Sequence, residues 1–288
     1  MNMNRKCQVF FKKIGSYLLL SIIAVIFVIP FYWAILTAIS PPGSVMMLVK
    51  IEWLPKEIHL ENFYKAWFKY VPMTLYLKNS LIIAFSVVFG TVITSASVGY
   101  AFSILRWPGS DILFLILLGT MMIPGQVTMI PLYILFFKIG WLNSFKPLII
   151  PAYFGNPFFI FLFSQFFATL PRELFDAATV DGCSNYSIFW KIAIPLVKPA
   201  LATVAVFSFM WTWNDFMGPL IYLRDTNKWT LSLGILNFQE QLYRTGETSI
   251  NFTMLMAAAL LVTLPLTILF FVAQKYFIQG IVLTGLKR

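Results

Sequence analysis

The chain has 288 residues, of which 59% are hydrophobic, 18% aromatic and only 11% charged, whereas a soluble domain carries roughly 25% charged residues. A mean hydropathy of +0.81 shows that apolar side chains fill the deficit, so the chain cannot cover a water-facing surface of its own size and reads as an integral membrane protein. The net charge of +10 comes from basic residues set singly or in pairs between apolar runs, which suits headgroup-level anchoring and argues against nucleic acid, while Cys7 and Cys183 are too few to staple such a fold.

A helix rising ~1.5 Å per residue needs about 20 residues to cross ~30 Å of hydrocarbon. Six stretches long enough pass without Lys, Arg or Glu, and only one of them contains an Asp. Ile14 to Val49 contains the first span, over Leu18 to Ala38 and ending before Pro41 and Pro42. Asn79 to Leu105, Ile112 to Phe137, Pro147 to Pro171, Pro199 to Leu223 and Thr248 to Gln274 follow. The expectation is an all-α protein with six transmembrane helices. A cleaved signal peptide is a poor match for the N-terminus, because the uncharged window far exceeds an apolar signal core of about 7 to 15 residues. Cys7 precedes the apolar run, so it is not a lipoprotein anchor. Lys and Arg are nearly balanced between the two sides, but Arg5, Lys6, Lys12 and Lys13 crowd the first segment with no acid among them. That places both termini in the cytoplasm.

Several windows are interrupted. Met121-Met122-Ile123-Pro124-Gly125-Gln126 and Pro131 break the third, and Pro151 and Gly155-Asn156-Pro157 break the fourth. Proline frees backbone carbonyls, which hydrocarbon tolerates only where protein or a water-filled cavity supplies partners. Two readings stand: helices that line a path, or kinks buried against neighbours. Asp215, in Trp211-Thr212-Trp213-Asn214-Asp215-Phe216, is the acid inside a window. It lies about 13 Å before Arg224 if the helix is continuous, in the outer half of the membrane, and an acid there is functional by default. It can fix helix packing or line a hydrophilic path; a proton relay, which strings several ionisable groups together, fits less well. Tyr153, Asn156, Gln126, Trp211, Trp213 and Asn214 join Asp215 as candidates for path lining, against an interfacial aromatic belt for the Trp and Tyr. No metal ligand set is expected, since His59 is the lone histidine and has no nearby Cys.

The segment from Arg172 to Lys198 differs from the other loops. Glu173 to Asp181 reads as a short helix with acid in its first turn, Gly182 supplies a left-handed stop, and a second turn carries Ile188, Phe189 and Ile192 on one face. The bare pattern fits either a stiff helix-turn-helix finger or an interfacial membrane helix.

Within it, Asp176-Ala177-Ala178, three residues, Gly182, nine residues and Ile192-Ala193-Ile194-Pro195 resemble the EAA loop of ABC importer permeases, Glu-Ala-Ala-x3-Gly-x9-Ile-x-Leu-Pro. Asp176 stands for the Glu and Ile194 for the Leu; the Asp is one methylene shorter. Trp53-Leu54-Pro55, Glu61-Asn62-Phe63, Lys78-Asn79-Ser80-Leu81, Met122-Ile123-Pro124-Gly125-Gln126, Pro171-Arg172-Glu173-Leu174, Trp213-Asn214-Asp215-Phe216, Pro219-Leu220 and Gln274-Lys275-Tyr276-Phe277-Ile278-Gln279-Gly280-Ile281 narrow the resemblance to the carbohydrate-uptake branch, similar to the smaller membrane subunit of maltose-type importers.

The resemblance implies a type I importer permease fold. It implies residues 1–76 as the N-terminal segment with the first span and first external loop, 77–275 as the transmembrane core with its cytoplasmic loop at 172–198, and 276–288 as a cytoplasmic tail. It implies that Asp176, Ala177, Ala178, Gly182, Ile192 and Pro195 couple the chain to an ATPase. The implied partners are a second permease subunit in a heterodimer, two cytoplasmic ABC ATPases, a solute-binding protein facing residues 39–78 and 224–247 from outside, a sugar substrate and membrane lipid of a bacterial cytoplasmic membrane. No cofactor is implied, and Gly280-Ile281-Val282-Leu283-Thr284-Gly285 is followed by Leu286 where a phosphate-binding Lys would stand. The rival readings are the same machinery for a glycerol phosphate or sugar acid, an ion- or proton-coupled carrier acting alone, and a non-transporting scaffold.

Overall fold

The computed structural model describes residues 3–41, 57–105, 107–244 and 248–285. Every regular element among these residues is helical. Trp53-Leu54-Pro55 lies outside the described residues. Chain contacts divide into two compact units, Met1–Pro72 with Ile235–Thr263 and Met73–Gly234 with Leu264–Arg288.

In the first unit, α1 (Met3–Ile39) is one helix through the first expected span, Leu18 to Ala38. Its side chains from Leu18 to Phe31 are apolar except Ser21 and exposed around nearly the whole circumference, as suits a helix whose solvent is lipid or another apolar chain. After it comes α2 (Glu61–Phe68). Buried Asn62 donates its amide hydrogens to the carbonyls of Ala38 and Ser40 at 2.9 and 3.0 Å, satisfying acceptors that the end of α1 leaves open. Lys65 hydrogen-bonds Glu61 across one turn at 2.9 Å, which holds that carboxyl below the usual carboxylate range.

The second unit is organised by α3 (Met73–Ser103), which fills the second window. The third window is broken: α4 (Ser110–Thr120) and α5 (Gly125–Lys138) meet at 95°. The extended Pro124 starts α5, so the break falls where the sequence carries Pro-Gly. The fourth window is α6 (Lys146–Ile149), a 3-10 turn over Ile150–Phe154, and α7 (Pro157–Ala168). Gly155 sits at φ +86°, and Asn156 caps α7 by accepting the amides of Phe158 and Phe159.

Next come α8 (Arg172–Val180), α9 (Asn185–Ile188), a π-turn over Phe189–Ala193 and α10 (Ile194–Leu196). Then α11 (Lys198–Asn214) departs at 80° from the direction of residues 185–196. That bend precedes the fifth window, which is itself interrupted between Asn214 and Met217. Asp215 is extended (φ −66°, ψ 115°), and α12 (Met217–Tyr222) follows it. The structure thus corrects the picture of Asp215 part-way along one rod. The carboxylate accepts the Gly218 amide at 3.0 Å, a cap that competes with helical continuation, and a Cβ on Gly218 would collide with it. The chain continues as α13 (Leu231–Arg244) and α14 (Thr248–Gly285), the latter carrying Pro265 through the sixth window. By length and composition, four helices can cross a membrane, or up to six if each bent pair is one span.

Small residues let the helices of the second unit close on one another. A Cβ on Gly99 would lie 2.7 Å from the Phe163 Cβ and 3.0 Å from the Ile160 carbonyl and Ser164 amide. This is the close backbone approach that membrane helix pairs use in place of a hydrophobic driving force.

Candidate functional site

The two ends of α3 carry different structures. At its C-terminal end, Tyr100 is buried against Phe167, Phe175 and Phe189, with ring centroids 5.6, 6.2 and 5.2 Å away. Phe175 belongs to α8, and Phe189 to the turn after α9, so both arms of the 172–198 segment are pinned to a membrane helix. Ala178, Ile188, Ala193 and Val197 complete this core.

The finger itself is closed by local chemistry. Gly182 adopts φ +81°, its amide bonds the Thr179 carbonyl at 3.0 Å, and the Cys183 amide bonds that of Ala178 at 3.0 Å. These are the two bonds of a Schellman stop. Ser184 then caps α9 through the Ser187 amide. The left-handed stop expected at Gly182 is therefore present. Among the described residues nothing lies within 4 Å of a Cβ placed there, so the constraint at Gly182 is conformational.

The six coupling candidates divide by face. Asp176, Ala177, Gly182 and Pro195 are exposed, Ile192 is half-buried against the aromatic core, and Ala178 is buried within it. The finger also exposes Val180 and Tyr186, at 87% and 75%, which the sequence reading did not single out. The available signal was position: both flank the left-handed turn.

Nearer the other end, Ser80, Ile83, Val87 and Thr91 of α3 line a cavity of about 500 Å³ together with the turn around Ala152 and Asn156, with Phe159, and with Ser208, Trp211, Thr212 and Asp215. Trp211 leans on Phe159 at 4.9 Å. Of the seven path candidates, Asn156, Trp211 and Asp215 come together here. Gln126 is exposed in the first turn of α5, and the Tyr153 ring lies where a Cβ on Gly90 would be, 2.7 Å away. Trp213 is buried and stacked on Phe209 at 5.3 Å. Asn214 bonds the Met210 carbonyl of its own helix at 2.9 Å. Thr91 and Ser208 were missed; each is polar, sits within an apolar window and shares a helical face with other lining residues, at spacings of three or four positions. No group of three or more metal-ligating side chains occurs among the described residues.

Beyond the cavity, polar contacts tie the turns together. Asn143, at φ +56°, accepts the Arg224 and Asp225 amides on its side chain at 3.2 and 2.9 Å, and Lys228 on its carbonyl at 2.8 Å. Asn79 donates to the carbonyls of Asn227 and Trp229, both at 2.9 Å. The segments after the third and fifth windows thus meet on one side, while the 172–198 finger packs on the opposite end of α3.

Long apolar helices, breaks at Gly155-Asn156 and Asp215 beside a largely apolar cavity that carries a few polar groups, and a finger packed on the helix that lines it suit a membrane transport protein. The family model for binding-protein-dependent transport system inner membrane components matches residues 93–282, a span that includes the finger and most of the cavity wall. The chain belongs to this family: it is an inner-membrane permease component of ABC importers. It is 34% identical over 266 residues to the arabinooligosaccharides transport system permease protein AraQ of Halalkalibacterium halodurans, covering 92% of this chain and 93% of that one. It is 32% identical over 272 residues to the sn-glycerol-3-phosphate transport system permease protein UgpE of Salmonella typhi, covering 93% and 94%. Its fold is similar to that in a crystal structure of a bacterial ABC transporter involved in the import of the acidic polysaccharide alginate, with a TM-score of 0.82, 24% identity and coverage of 95% and 98%.

Proposed function

We propose that the chain is one membrane half of an importer for a sugar or oligosaccharide, crossing the bacterial cytoplasmic membrane six times with both termini inside and working by alternating access. In this reading α4 with α5 makes one span and α11 with α12 another, the fold is that of type I importer permeases, and a different permease subunit completes the pore. ATP is hydrolysed by two separate cytoplasmic subunits, and a solute-binding protein delivers the sugar from outside, where the Asn143 and Asn79 contacts gather the turns. The naming of AraQ supports a sugar as cargo; that of UgpE keeps a glycerol phosphate as the second reading.

The observation that carries the proposal is the anchoring of the finger. Tyr100 holds both of its arms, so displacement of the exposed Asp176–Gly182 surface by a closing ATPase would be transmitted to α3 as a rigid-body push. Ala178, Ile192 and the buried aromatics transmit that push, while Asp176, Ala177, Gly182 and Pro195 form the contact. ATP-driven uptake of radiolabelled arabinooligosaccharide into vesicles holding the full complex tests this with Gly182→Val. A left-handed β-branched residue costs roughly 1–2 kcal/mol and adds bulk at the contact. The variant is expected to reach the membrane with uptake abolished; full uptake by a well-inserted variant would remove Gly182 from the coupling contact.

A further inference from the structure

We propose that the cavity between α3, α7 and α11 is a subsite, on this subunit, for a neutral polyhydroxylated solute, and that it discriminates against phosphorylated or carboxylated forms of the same sugar. The proposal rests on the importer reading and deepens it.

The hydroxyls are the first ground. Thr91 and Ser208 line the cavity from two different helices and are each 3% exposed, yet neither hydroxyl has a hydrogen-bond partner among the described residues. Their neighbours behave otherwise: Thr94, Ser97, Thr203 and Thr212 each donate to the carbonyl four positions back, at 2.7 to 2.9 Å, which is the ordinary resting place of a helical hydroxyl. A hydroxyl that faces a cavity without a protein partner is free to bond whatever fills it. Because a hydroxyl both donates and accepts, this pair matches a ligand rich in the same group. Asn156 adds to them: its Oδ1 is occupied as the α7 cap, and its amide hydrogens have no partner among the described residues.

The aromatic wall and the charge supply the rest. Trp211 with Phe159 offers apolar ring surface to the C–H faces of a sugar. The cavity volume of about 500 Å³ lies within the ~300–1,000 Å³ of small-molecule sites. Asp215 is the one ionisable lining residue, and no Lys, Arg or His among the described residues lines the cavity. A phosphate or carboxylate is recognised by cationic donors. Here it would meet an acid that its bond from the Gly218 amide holds in place, in surroundings where like charges repel more strongly than in water.

The test uses the full complex without its binding protein, so that the delivery step does not decide selectivity. Saturation-transfer NMR compares two probes at millimolar concentration, arabinobiose and its aldonate, which differ by one carboxylate. The expected result is transfer to arabinobiose at least roughly tenfold stronger than to the aldonate. Thr91→Val and Ser208→Ala should each reduce transfer to arabinobiose by more than half. Asp215→Asn should raise the aldonate signal, because asparagine keeps the helix cap and loses the charge. Equal signals from both probes, no signal from arabinobiose, or arabinobiose transfer unchanged by Thr91→Val and Ser208→Ala would overturn the subsite. Aldonate transfer unaltered by Asp215→Asn would overturn the charge discrimination. ATP hydrolysis stimulated by the binding protein is recorded on the same preparations. If hydrolysis is coupled and the NMR prediction fails, the subsite is wrong and the importer reading stands; if no coupled hydrolysis exists, the importer reading itself fails.

Discussion

The two halves of α3 are built from the same helix for opposite purposes. Around Ala96, Gly99 and Tyr100 it is packed dry, with backbone against backbone at Gly99 and three aromatic rings around Tyr100. From Ser80 to Thr91 it lines an open cavity and presents hydroxyls. Close packing leaves few alternative arrangements and transmits displacement, whereas a cavity with unpaired polar groups can exchange one set of partners for another. In the proposed reading both lie on one rigid element, so that motion imposed at the closely packed end would reach a solute at the cavity end.

Substitutions at the dry end should have the largest effects. Phe189→Ala removes the ring 5.2 Å from Tyr100 and should cost about 3–5 kcal/mol; the finger should become sensitive to limited proteolysis and uptake should vanish, while arabinobiose binding survives. If binding is lost in parallel, the two ends are not separable. Gly99→Val forces a side chain into the Phe163 contact, and overpacking of roughly 1–3 kcal/mol should lower the thermal midpoint of the detergent-solubilised complex. Asn143→Ala frees the Arg224 and Asp225 amides and leaves a non-glycine residue at positive φ. A loss of about 1–3 kcal/mol should appear as faster hydrogen exchange in residues 222–230, with the finger unchanged. The smallest effect is expected for Asn156→Ala, about 0.5–2 kcal/mol from the lost α7 cap, with weaker arabinobiose binding at full ATPase activity.

The same contrast explains what the sequence made legible. The first span, Leu18 to Ala38, and the second and sixth windows carry at most one isolated proline, and each lies within one helix apart from the last residues of the second. The breaks at Pro124-Gly125 and Gly155-Asn156-Pro157 fall on residues whose backbone chemistry announces them, as does the Gly182 stop. The break at Asp215 also has a signal, one the sequence reading passed over: Pro219 has no amide for the Asp215 carbonyl and would clash with it in a continuous helix, and that carbonyl accepts the Ser232 hydroxyl instead. Trp211 and Trp213 look alike in the sequence, but two positions on a helix differ by about 200°; one is 51% exposed beside the cavity and the other 5%. Thr91 and Ser208 looked like ordinary small polar residues, since only the tertiary arrangement shows which hydroxyls lack a partner.

The central claim, that the finger lies in the cytoplasm and is covered by an ATPase, can be tested at Cys183, which is exposed one residue past the turn. In a Cys7→Ser background, alkylation of Cys183 by a membrane-impermeant maleimide is compared between intact cells and inside-out vesicles, with and without the two ATPase subunits. The account predicts labelling only in inside-out vesicles, and strong protection once the ATPases are present. Labelling from outside the cell, or equal labelling with and without the ATPases, would contradict it.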